Sequence, residues 1–263
     1  MILGFNISLF IGIIMIPVFY AFIVYLTSPH KSIEFKTGLQ YMLAGFASVT
    51  LIPFILTLIP GWKGGTNPLQ ETFFFIATRE ELVKLSLFLL IDKMRSGMGK
   101  KDHPIGTMFY MCMVGLGFAI YENIQYIHMY GQQVLGVRLI TATIAHMLFG
   151  MFMGYWIALG RINTGKYGNR SVFGILMNKN PKLKQYIYIF IGWLSAVCYH
   201  GLWNYNLVVS SNAYCVMDFK GDFNTVTDVS NVTIMIMLIF FGLVGAKFAT
   251  KDLNDNYRRK FRK

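Results

Sequence analysis

The chain has 263 residues, is 55% hydrophobic with a mean hydropathy of +0.49, and carries only 14% charged residues. That leaves too little polar surface to coat a water-soluble globule of this size, which excludes that class. The net charge of +12 would suit a nucleic-acid ligand if it formed one patch. It is instead confined to alternate connections and the tail, so no nucleic-acid partner is expected and the lipid bilayer is.

Seven apolar stretches follow in chain order, near 2–26, 39–60, 72–92, 106–128, 139–160, 185–210 and 232–246. All but the last, which is marginal, reach the roughly 20 helical residues that a hydrocarbon core requires. They are too long for barrel strands and lack strict alternation. The prediction is an all-α, polytopic protein of the cell membrane with about seven transmembrane helices, forming a single domain over residues 1–263.

The first stretch has no basic residue before it and no evident cleavage site, so it reads as a retained span and not a signal peptide. In the second, Pro53 and Pro60 predict a kink or an early helix end. The third carries Arg79, Glu80, Glu81 and Lys84 in its middle. Ionisable groups at that depth cost roughly 2.5–3.5 kcal/mol each, so they must face a protein interior or a wet cavity and pair with one another. At about 100° per residue the two carboxylates flank Lys84 on one face, with Arg79 to the side. Lys84 is i+4 from Glu80 and i+3 from Glu81 and reaches either. A purely structural ion pair between helices is the alternative reading, but two carboxylates against one lysine leave a negative charge to be met.

The fourth stretch contributes Gly115, Gly117, Phe118, Glu122 and Asn123. The fifth has His146 one turn before Gly150, and Gly150 with Gly154 forms a small-xxx-small pair expected to serve close helix packing. The sixth places His200 one turn before Asn204, so both address one point. Cys112 and Cys198 fall inside spans and are expected to pack as small apolar groups; with Cys215 they form no metal or disulfide spacing. Asp218, Asp222 and Asp228 make an acidic connection that reads as solvated and not as a cation site.

Connections 27–38, 93–105 and 161–184 with the tail 247–263 hold nineteen Lys/Arg; the N-terminus and connections 61–71, 129–138 and 211–231 hold three. This asymmetry predicts an outside N-terminus and a cytoplasmic C-terminus. Counted at about 1.5 Å per residue from the predicted outer ends, Glu80, Glu122, His146, His200 and Asn204 all lie roughly 9–15 Å below the outer boundary.

Hydrolysis at that depth needs a water, a base and donors for the oxyanion. A carboxylate in an apolar cavity makes a competent base near neutral pH. Glu80 or Glu81 suits that role, with Lys84 beside them; His200 and Asn204 offer oxyanion donors, and His146 shares proton transfer or orients the water. Two histidines and a glutamate are equally a three-ligand set for zinc, in which case Glu81, His146 and His200 are the candidates. HExxH, GxSG and GxGD are all absent. A proton- or ion-coupled transporter and a non-catalytic membrane scaffold are the alternatives that share this inventory.

Glu80-Glu81-Leu82-Val83-Lys84 is an EExxK motif, and Gly117 to Asn123 gives GFxxxEN. His146 to Gly150 gives HxxxG, and His200 to Asn204 gives HxxxN. In this order, over roughly residues 40–210, the chain resembles the PrsW family of intramembrane proteases, related to the CAAX prenyl endopeptidase and Abi group. The resemblance implies a glutamate-type or metal-dependent endopeptidase whose substrate is a membrane-anchored protein such as an anti-sigma factor. It implies catalytic roles for Glu80, Glu81, Glu122, His146, His200 and Asn204, supported by Arg79, Lys84 and Asn123. The CAAX group has His where this chain has Glu122, and Arg one residue beyond Lys84, which argues against prenyl-protein processing.

Overall fold

A computed structural model describes residues 7–28, 33–59, 67–99, 103, 106–164, 181–212 and 226–261. Every regular element among them is helical. These are α1 (Ile7–Thr27), α2 (Phe35–Ser48), α3 (Leu51–Leu58), α4 (Thr78–Gly97), α5 (Gly106–Tyr130), α6 (Leu135–Ile140), α7 (Ala142–Thr164), α8 (Pro181–Asn212) and α9 (Val226–Phe261). A π-helical stretch, Gln70–Ala77, runs directly into α4.

The second apolar stretch is two helices meeting at 46°. Pro53 sits in the first turn of α3, where its missing N–H costs nothing; Pro60 lies outside the described residues. The fifth stretch is also divided, with Thr141 in a non-helical conformation between α6 and α7. The last stretch, marginal by sequence, belongs to a 36-residue helix, and the basic segment expected as a tail continues that helix to Phe261.

Three helical segments are long and apolar enough to cross a membrane, within 132–164, 182–207 and 233–259, and the bent α2–α3 pair makes a fourth if it counts as one span. The third and fourth stretches fall short for a physical reason. α4 carries its charges, and α5 is diluted by glycine, tyrosine, Glu122 and Asn123. α5 is sheltered by protein, buried from Gly106 to Ile120 on all sides, so it need not be apolar enough to face lipid, whereas α4 turns its charged face inward and leaves Leu90 and Met94 exposed.

α5 is the axis of the bundle, packed between α2 and α7, with α8 on the far side of α7. Glycines permit this. A Cβ on Gly45 would strike the Val114 carbonyl, and one on Gly117 the Met42 carbonyl, so α2 and α5 touch backbone to backbone. Across the other face, a Cβ on Gly115 would strike the His146 carbonyl, and one on Gly150 the Met111 carbonyl. Gly154 meets Met108 in the same way, so the small-xxx-small pair is a packing device.

α1 and α9 lie at the periphery, and large apolar side chains such as Phe19, Phe240, Phe241 and Phe248 point outward from them. An outward apolar surface of this kind is what a lipid-facing helix presents. Cys112 is buried as expected, but Cys198 is exposed on the outside of α8. Cys215, Asp218 and Asp222 lie outside the described residues, as does the side chain of Asp228.

Candidate active site

Four helices bring their polar groups to one place. α4 supplies Glu80, Glu81 and Lys84; α5 supplies Glu122 and Asn123; α7 supplies His146; α8 supplies His200. The π-helical turn sets the entry to α4. Its wider i→i+5 bonding ends where the backbone N–H of Thr78 donates to the Phe73 carbonyl, two residues before Glu80. Gly201 lets the Phe73 ring lie against α8 beside His200. π-helical insertions of this kind concentrate at functional sites, where they re-aim side chains.

Lys84 is the hub. Its Nζ donates to Glu81 Oε1 at 2.7 Å and to His146 Nδ1 at 3.0 Å, and lies 3.9 Å from Glu80 Oε2. The ammonium also sits 3.8 Å above the centre of the Phe118 ring. An ammonium has no acceptor, so His146 Nδ1 is the unprotonated nitrogen and Nε2 carries the hydrogen. Nε2–H then donates to Glu122 Oε2 at 2.8 Å. The same carboxylate oxygen accepts from Arg138 Nη2 at 2.7 Å, and Arg138 Nε donates to Asn123 Oδ1 at 2.8 Å. Asn123 in turn donates to Thr143 Oγ1 at 3.0 Å.

His200 is fixed from two sides. Its Nδ1 donates to Glu81 Oε1 at 2.8 Å, and its ring stacks on Phe149 at 4.6 Å between centroids and 18° between planes. The remaining nitrogen, Nε2, faces Glu80 Oε2 across 3.7 Å. That is too long for a direct hydrogen bond and leaves room for a bridging atom. A carboxylate that orients a histidine through its other nitrogen is the usual support of a metal-binding imidazole.

The two adjacent carboxylates therefore differ in environment. Glu81 is fully buried and committed to Lys84 and His200, while 15% of the Glu80 side chain is exposed. Glu80 Oε2 and Glu81 Oε2 are buried oxygens with no hydrogen-bond partner among the described residues. Glu80, His146 and His200 each offer one ligand atom, and the three lie within 4.8 Å of one another. A Glu/His/His donor set, an orphaned carboxylate oxygen, and three carboxylates contacting two cations all suit a divalent cation. The expected trio had Glu81 in the place that Glu80 takes: at i+3 from Lys84 and facing His200 Nδ1, Glu81 is held behind the site and Glu80 in front.

Asn204 is half-buried one turn beyond His200 and makes no hydrogen bond among the described residues. Arg79 does not join the cluster; its Nε donates to the Phe75 carbonyl within its own helix. The sequence reading missed Arg138, which it counted among connecting-loop charges. The available signal was a lone cation in a short connection between Glu122 and His146, since an α5–α7 hairpin folds those two residues together.

A profile described as PrsW family intramembrane metalloprotease matches residues 36–244. The chain is similar to Protease PrsW of Oceanobacillus iheyensis, with 30% identity over 121 residues, 46% of this chain and 54% of that protein. It is also similar to Protease PrsW of Geobacillus kaustophilus, with 27% identity over 144 residues, 54% of this chain and 62% of that protein. The alignments thus span less than two thirds of the length of either relative. No solved structure matches the chain. The profile match begins in α2, ends in α9 and encloses every group of the cluster, and by that match this chain belongs to the PrsW family of intramembrane metalloproteases.

Proposed function

We propose that the protein is an intramembrane endopeptidase that hydrolyses a peptide bond of a membrane-anchored protein at Glu80, His146 and His200. The observation that carries this reading is the convergence of those three ligand atoms within 4.8 Å, each backed by a second charged group. A divalent cation such as zinc, held by Glu80, His146 and His200, would polarise the scissile carbonyl and acidify a water.

The chain's own groups have separate tasks. Glu81 accepts from His200 Nδ1 and so keeps the Nε2 lone pair aimed at Glu80. Lys84 neutralises Glu81 and donates to His146 Nδ1, a hydrogen bond that would give way where His146 takes the cation through that nitrogen. Glu122 and Arg138 hold the other side of His146, where Glu122 Oε2 accepts from His146 Nε2 and from Arg138 Nη2. Phe118 and Phe149 wall the site and keep bulk water from the fixed charges.

The family resemblance supports a single-span anti-sigma factor as the substrate class. The nineteen-to-three charge asymmetry supports seven crossings with the N-terminus outside and the site below the outer leaflet. The test is cleavage of a single-span substrate by purified protein in liposomes, with metal content measured before and after chelation. Glu80→Gln, His146→Ala and His200→Ala are each expected to lower cleavage at least about 100-fold, and chelation to abolish it until zinc is restored. Undiminished cleavage by Glu80→Gln would overturn the assignment. An ion flux lost in the same variants, without any cleavage by the parent protein, would replace it with a transporter.

A further inference from the structure

A second site lies on the opposite face of α7. α1 and α9 both pack on the α5–α7 hairpin, and between them runs a groove of about 770 Å³. Small-molecule sites typically have volumes of roughly 300–1,000 Å³. Its length is apolar, formed by Tyr20 and Ile23 of α1, Phe109 of α5, Met147 and Met151 of α7, and Leu243 of α9. One end is polar. There Thr27 and Ser28 close α1, and Lys247, Lys251 and Asn254 line the facing side of α9.

Two hydrogen bonds give the groove its direction. Tyr20 Oη donates to the Leu139 carbonyl, so the apolar end lies at the level where α6 ends. Tyr155 Oη donates to Asp252 Oδ2, so the lysine end lies a further four turns along α7, on the side of the basic connections. Lys247 and Lys251 are one turn apart, so both ammoniums reach the same mouth. Both are exposed, and neither has a carboxylate within ion-pair distance among the described residues.

We propose that this groove is a binding site for an anionic phospholipid, with its phosphate between Lys247 and Lys251 and an acyl chain along Met147 and Met151. Charge complementarity selects this occupant. An anionic lipid of the basic-side leaflet matches both ends at once, with an acyl chain for the apolar length and a phosphate for the two lysines. The acyl chain then lies along α7 at the level of His146, since Met147 is the next residue.

The test is lipid binding by the full-length protein in detergent, titrated with phosphatidylglycerol and with phosphatidylcholine and read by native mass spectrometry. Phosphatidylglycerol is expected to bind roughly 10- to 30-fold more tightly, and the double variant Lys247→Gln/Lys251→Gln to reduce that preference to within about threefold. Leu243→Trp, which fills the apolar length, is expected to lower occupancy by both lipids. The double variant Arg258→Gln/Arg259→Gln removes equal charge from the same helix outside the groove and is expected to keep the preference. Equal binding of the two lipids by the parent protein would overturn the proposal, as would an equal loss of preference in the two double variants. Unchanged thermal melting of each variant in phosphatidylcholine keeps a folding defect from being read as either result.

Discussion

At the scale of the residue, Lys84 is the group on which the cluster depends. Its side chain is 1% exposed and it joins Glu81, His146 and the Phe118 ring. Removing one partner of a buried pair leaves the other charged and desolvated, at about 3–5 kcal/mol. Lys84→Met is therefore expected to lower stability by that amount in a denaturant melt, besides abolishing cleavage. Arg138 lies at the rim, 13% exposed against 16% for Glu122, where water tempers the loss. Arg138→Gln is expected to fold normally and to reduce metal affinity or cleavage roughly 10- to 100-fold, as the loss of an outer partner of a metal site does. Isothermal titration with zinc and initial cleavage rates would check it.

At the scale of the element, glycine decides how near α5 comes to its neighbours, and so whether Glu122 and His146 can meet. A Cβ on Gly115 would push on the backbone of His146 itself. Gly115→Ala is expected to cost about 1–3 kcal/mol through overpacking and to weaken cleavage by displacing the imidazole. Gly12 offers the contrast, because a Cβ there meets nothing within 4 Å. Gly12→Ala is expected to leave activity unchanged and to add up to about 1 kcal/mol from helix propensity. Parallel thermal melts of the two variants separate packing from propensity. The kink between α2 and α3 and the break at Thr141 belong to this scale too, and only the first has a proline to announce it.

At the scale of the whole molecule, the axial helix α5 is sheltered by its neighbours. This arrangement explains why α5 falls short of a lipid-facing standard of hydropathy while peripheral α9 meets it with a mean of 1.9. Single cysteines placed on a cysteine-free background test the proposed orientation. A cysteine in connection 61–66 is expected to react with an impermeant thiol reagent from outside, and one in connection 166–180 only after the membrane is opened. The reverse pattern would invert the topology and move the site to the inner half of the bilayer.

Composition and the run of apolar stretches were enough to establish an all-helical membrane protein, because burying backbone in lipid leaves a chain with such long apolar runs little other choice. The same reading singled out Arg79, Glu80, Glu81, Lys84, Glu122, Asn123, His146, His200 and Asn204, since polar groups within apolar stretches are too costly to lack a purpose, but Arg79 and Asn204 stay outside the cluster. What one-dimensional spacing could not say is which oxygen faces which nitrogen. Glu80 and Glu81 are adjacent and chemically identical, and only the position of His200 relative to α4 commits one to support and leaves the other facing the open gap. Arg138 likewise became part of the site only through the α5–α7 hairpin, because its partners Glu122 and Asn123 lie 16 and 15 residues away and meet it only when that hairpin closes.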